Sequence, residues 1–187
     1  MLSSHKTALR QQLFARRKAL GVDVQQQYSA QIMAQALAYL QQQQAQSVLL
    51  YRSVGSEVIT TAWHEAHSVP WRVYAPVCHE ACEMTWFDAH SSDWQAAGHG
   101  LLEPIGGERW QAGDGDWLLC PLLGFNRQGH RIGMGKGYFD RWLAANRSSI
   151  RGCLGLAFSC QEVADLPVEA HDEPLDGIIT EKGFIRV

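Results

Sequence analysis

Apolar residues along the chain fall into two long amphipathic segments near the amino terminus, then into short unbroken runs separated by polar, glycine-rich stretches. Residues 4–19 place Leu9, Leu13 and Leu20 on one helical face, with Ser3 or Ser4 available as N-cap. A second helix over 25–44 has Tyr28, Ile32, Leu37 and Leu40 as its buried side. Strands are predicted at 47–51, 71–75 (ending at Pro76), 84–87, 117–121, 152–158 and 174–180, with 184–187 as a short edge strand. A helix over 61–67 separates the first two strands, and 88–116 reads as irregular. Near-continuous apolar strands with helices between them argue for a parallel sheet covered on both sides. The expected fold class is α/β, one open, mostly parallel, Rossmann-like sheet with helices on both faces.

The most informative stretch begins where the run Trp117 to Pro121 gives way to polar residues. Gly133, Gly135 and Gly137 alternate, with Lys136 between the last two, and a helical pattern starts at Tyr138, with Trp142 and Ala145 following at helical spacing. Glycines this close let the main chain approach a ligand and allow positive φ, so successive amides can turn toward one anion. The following helix N-terminus adds unpaired amides and a favourable dipole. The spacing fits neither a Walker loop nor G-x-G-x-x-G. The plainer alternative is a glycine-rich turn with a solvated lysine. Arg131, Lys136 and Arg141 around the glycines, and Asp140 able to hold a cation, favour a phosphate cradle with magnesium beside it.

Composition narrows the classes. A 187-residue chain with 46% hydrophobic residues can bury a substantial core. A net charge of −3 supplies no electrostatic footprint for nucleic acid. No run approaches the ~18 apolar residues of a membrane span, and the amino terminus is too polar for a signal peptide. Five scattered cysteines fit reduced thiols in a cytoplasmic protein. His64, His67, Cys78, His79 and Cys82 lie close in sequence, but the cysteine spacing suits a zinc knuckle poorly, and core or surface roles are the default.

The stretch from Pro121 to Asn126 and from Gln128 through Arg131, Ile132, Gly133, Met134, Gly135, Lys136, Gly137, Tyr138, Phe139 and Asp140 to Arg141 resembles the 5-formyltetrahydrofolate cyclo-ligase family. Lys6, Thr7, Ala8, Leu9 and Arg10 are similar to its K-x-x-L-R opening, and Glu57 to Thr60 to its E-[VI]-x-T element, with Ile59 where an acid is common. The segments 100–104 and 152–167 also resemble it. The resemblance implies one cyclo-ligase domain over 1–187 and ATP bound by Lys6 to Arg10 and Arg131 to Phe139. It implies folate held by Glu57, Met134 and Tyr138, and Mg2+ held by Asp140 and Asp172. Arg131 and Lys136 would be catalytic. Phe139 stands where tyrosine is frequent, which puts a hydroxyl role there in question. A monomer with no nucleic-acid or membrane partner is expected. A small-molecule kinase on the same loop, or a nucleotide- or folate-binding protein without turnover, are the competing readings.

Overall fold

The computed structural model describes residues 2–65, 69–98, 100–113, 115–169 and 172–187, with side chains from residue 5 onward. Two helices lead the chain, α1 (Leu2–Lys18) and α2 (Val22–Gln42). With α1 starting at Leu2, Ser3 and Ser4 lie inside its first turn. The buried face of α2 is Ser29, Ile32, Met33, Ala36 and Leu40. Tyr28 and Leu37 are only partly buried at its margins. The stripe runs through two small residues that a count of large apolar positions passes over.

Then come β1 (Ser47–Leu50), α3 (Thr61–Glu65), β2 (Arg72–Cys78), β3 (Met84–Asp88), β4 (Asp93–Ala96), β5 (Leu102–Ile105) and β6 (Asp116–Pro121). The chain continues through β7 (Gly124–Phe125), β8 (Arg131–Ile132), α4 (Tyr138–Asn146), β9 (Gly152–Leu156), β10 (Gly177–Thr180) and β11 (Gly183–Arg186). The helix read over 61–67 is described only to Glu65; its last part, with His67, lies outside the described residues.

Seven strands form one sheet in the order β11-β10-β9-β6-β1-β2-β3. The five inner strands run parallel, and β3 and β11 close the two edges antiparallel. Successive side chains point to opposite faces. Val48, Leu50, Leu119, Leu154 and Ile179 therefore meet Ile32, Ala36 and Leu40 of α2 and Trp63 of α3. Leu49, Leu118, Cys120, Cys153 and Ile178 meet Trp142 and Leu143 of α4 on the other side. Helices on both faces are what the unbroken apolar runs require, since neither face of such a strand tolerates water. Leu13 of α1 joins Leu123, Ile132 and Leu166 in a third, smaller cluster.

Two expectations change. Strand β2 does not end at Pro76 but continues to Cys78. Its pairing with β1 ends at Tyr74, so a missing N–H at Pro76 removes no bond to that neighbour. The stretch 88–116 is not wholly irregular: β4 and β5 pair as a two-stranded ribbon. The helical pattern read from Tyr138 is α4, with Trp142 and Leu143 buried.

Gly152 starts β9 directly against Trp117, where an added Cβ would lie 2.4 Å from the indole Cζ3. Gly152→Ala should destabilise the fold by about 1–3 kcal/mol through overpacking, read as a lower urea midpoint at unchanged m-value. Among the described residues no helix is long and apolar enough to cross a membrane. The five cysteines are free.

Candidate functional site

From β1 the chain places β2 on one side, and later β6, β9 and β10 on the other. Such a reversal opens a crevice beyond the carboxyl ends of β1 and β6, the preferred ligand position in open α/β sheets. The loop leaving β1 carries Glu57, and the chain leaving β6 carries the glycine stretch.

After β6, the β7–β8 hairpin presents that stretch. Asn126 fixes its turn by accepting from the Gln128 and His130 amides through Oδ1 at 3.1 and 3.0 Å. Arg131 and Ile132 pair with Phe125 and Gly124, and the chain then leaves the ribbon as Gly133–Gly137. Gly135 and Gly137 adopt φ of 102° and 74°, the region that disfavours side chains. Gly137 is the N-cap of α4 and provides no side-chain cap, so the first-turn amides of Tyr138, Phe139 and Asp140 have no side chain of that residue to pair with. Lys136 and Met134 are exposed beside them. Arg141 donates to the Lys136 carbonyl at 3.3 Å and so folds back over the loop.

Helix α1 lies against this loop. Arg10 Nε donates to the Gly133 carbonyl at 3.0 Å, and the guanidinium is so close to Gly135 that a Cβ there would stand 3.2 Å from Cζ. One helical turn earlier, the buried Lys6 ammonium meets Glu169 at 2.6 Å and Asp172 at 3.2 Å. Burial lowers the Lys6 pKa, but the two carboxylates outweigh it and leave it raised. Thr7 and Ala8 are exposed, while Leu9 packs against the third apolar cluster.

Arg131 is the second buried cation. Its Nη2 donates to Asp140 Oδ1 at 2.6 Å and its Nη1 to the Glu173 carbonyl at 2.7 Å. Burial works against its charge, yet the facing Cys120, Asp140, Cys153 and Asp172 raise its pKa on balance. Asp140 and Asp172 thus both bear on one guanidinium, and Asp172 also meets Lys6. These are hard carboxylate oxygens, the donor type magnesium selects.

Glu57 sits apart from the loop. Its Oε2 accepts the Val54 amide at 2.9 Å, and burial raises its pKa, opposed by that amide and by Arg17. Tyr138 donates to the His79 carbonyl at 3.1 Å, which ties the start of α4 to the end of β2. Phe139 faces inward, its ring edge-on to Trp86 at 6.2 Å. Of the histidine and cysteine group, His64 is buried with Nδ1 and Nε2 each 3.1 Å from the carbonyls of Thr60 and Leu50. Burial pulls its pKa down to about 4. His79 Nε2 meets the Thr85 hydroxyl at 2.7 Å, and Cys78, pushed up to about 11 by burial and Glu103, lies beside that carboxylate. Among the described residues no cluster of three or more His, Cys, Asp or Glu side chains could hold a metal ion.

Two residues around the crevice, Glu169 and Arg17, went unread in the sequence, and Glu103 was read only as part of the family-like segment 100–104, with no chemistry assigned. Glu103 is buried and accepts the Cys78 amide at 2.9 Å. Glu169 pairs with Lys6. Arg17 is 3% exposed. One signal was present: Lys6, Arg10, Leu13 and Arg17 recur at helical spacing on one face, so cations stand where a purely packing helix would carry apolar residues.

Comparison with known proteins fits this arrangement. The chain matches the 5-formyltetrahydrofolate cyclo-ligase family over residues 2–181. It is 31% identical to the 5-formyltetrahydrofolate cyclo-ligase of Haemophilus influenzae over 167 residues, 83% of this chain and 86% of that protein. The fold superposes on the 5,10-methenyltetrahydrofolate synthetase of Aquifex aeolicus with a TM-score of 0.82 at 27% identity, covering 97% of this chain and 92% of that one. For the synthetase of Mycoplasma pneumoniae the TM-score is 0.75 at 26% identity, over 94% and 98% of the two chains. Fold and matches define an α/β enzyme of the ligase class. The chain belongs to the 5-formyltetrahydrofolate cyclo-ligase family.

Proposed function

We propose that this chain, acting as one domain over 1–187, uses ATP and Mg2+ to close 5-formyltetrahydrofolate to 5,10-methenyltetrahydrofolate, releasing ADP and phosphate. The observation that carries the reading is the meeting of α1 with the glycine loop, Arg10 on the Gly133 carbonyl and Lys6 on Asp172. That meeting gathers the cations and open amides a triphosphate needs into one crevice.

The formyl oxygen attacks the γ-phosphorus, the bond to ADP breaks, and a phosphorylated imidate results. The neighbouring ring-side nitrogen then attacks the formyl carbon, gives up its proton to solvent, and phosphate departs with the original formyl oxygen. An amide-like oxygen leaves poorly, and phosphorylation makes it a good leaving group. Phosphoryl transfer asks mainly for positioning and charge stabilisation. The amides of 133–139, Arg131 and the exposed Lys136 supply these, while Lys6 to Arg10 hold the nucleotide from the α1 side. Asp140 and Asp172 would hold Mg2+, whose contribution is to neutralise phosphate charge. Glu57, with Met134 and Tyr138, takes the folate, its carboxylate matching the N–H donors of a reduced pterin.

The test mixes the protein with 5-formyltetrahydrofolate, ATP and magnesium chloride, and follows methenyl absorbance. Product should form only when ATP is present. A phosphorylated product without the methenyl chromophore would favour a kinase, and ligand binding with no product would favour a non-catalytic binder; either overturns the proposal.

A further inference from the structure

Helix α1 ends in the basic run Arg16, Arg17 and Lys18, which on a surface helix would be a solvated terminus. The fold treats the three differently: Arg16 and Lys18 are exposed, and Arg17 is 3% exposed. A guanidinium is costly to take out of water unless it is bonded and balanced. Arg17 Nε donates to Ser56 Oγ at 3.1 Å, in the loop leaving β1. Its Nη1 donates to the Leu122 carbonyl at 3.2 Å, at the exit of β6, and Gln161 Nε2 donates to the same carbonyl at 2.8 Å. One side chain therefore clamps the two loops that border the crevice. Both of its acceptors are neutral, so the positive charge is balanced through space.

We propose that Arg17 is a positioning residue for the folate side of the site, holding the Ser56–Glu57 loop against the exit of β6 and supplying the counter-charge of Glu57. The inference rests on the reading of Glu57 as the folate contact. Glu57 is adjacent to Ser56 and is itself anchored by the Val54 amide. The groups facing this pair are few. Tyr51 donates its hydroxyl to the Val58 carbonyl at 3.0 Å, and burial raises its pKa well above the ordinary value, so it is neutral. Cys160, whose thiol burial also pushes up, is neutral too. Burial lowers the Arg17 pKa and raises that of Glu57, and each charge counters the other's shift. Arg17 thus works against the protonation that burial would otherwise force on the carboxylate.

The experiment measures 5-formyltetrahydrofolate affinity by calorimetry across pH 5–8, with KM and kcat from methenyl absorbance, for wild type, Glu57→Gln, Arg17→Met and Arg17→Lys. Wild-type affinity should fall on an acid limb that Glu57→Gln flattens. In Arg17→Met that limb should move up by about one pH unit, the low end for loss of a neighbouring opposite charge. KM should rise about fivefold near the wild-type midpoint, and up to about tenfold well below it, while kcat changes far less. Arg17→Lys should hold the limb in place. Arg17→Gln, which keeps a donor without the charge, replaces Arg17→Met should that variant fail to fold. If Glu57→Gln leaves affinity and limb unchanged, the folate role of Glu57 falls. If Glu57→Gln flattens the limb but the neutral Arg17 variants leave it where it was, the role of Arg17 falls alone.

Discussion

Lys136→Ala should lose at least about a hundredfold in kcat/KM while unfolding within about 0.5 kcal/mol of wild type. The ammonium is exposed beside the open amides of α4. Exposed side chains away from caps and cores contribute little to stability, whereas one preorganised donor to a developing charge is worth about 100- to 1,000-fold in rate. Methenyl absorbance with saturating ATP and urea unfolding on the same preparation separate the two effects. An unchanged rate would take Lys136 out of the catalytic set.

Arg131→Met should behave in the opposite way, losing both activity and stability. Arg131 is 7% exposed and bonded to Asp140 at 2.6 Å, so its removal leaves a carboxylate without its counter-charge. Breaking one side of a buried pair costs about 3–5 kcal/mol. The low end applies here, because the Asp140 side chain keeps 29% of its exposure and water can partly compensate. Activity should fall below detection under conditions where the folded fraction is still high, checked by circular dichroism on the assayed sample. A variant that is destabilised yet turns over normally would make Arg131 a structural cation only.

The pair shows what sequence could and could not reveal. Lys136 and Arg131 look alike in the glycine stretch, and only the hairpin, which turns one inward and the other outward, separates them. The parallel sheet was legible because Leu118, Leu119, Leu154 and Ile179 belong to runs with no polar alternation, which only two covered faces can explain. The passage from Gly137 into α4 was legible for a local reason, glycine at a positive-φ cap before a helical pattern. The rest depended on distant partners. Glu103 is buried by a bond to the Cys78 amide, and backbone donors leave no mark in a side-chain pattern. The β4–β5 ribbon has few buried positions, so its alternation is weak.

Lys6 reaches Glu169 and Asp172 across 163 and 166 residues of chain. A polypeptide emerging from the ribosome exposes that lysine well before its acidic partners. Nascent chains, and products of premature termination before the second half of that pair, carry four of the five inner strands, lack β10 and leave the Lys6 side of the crevice unfinished, so competence arrives late and all at once.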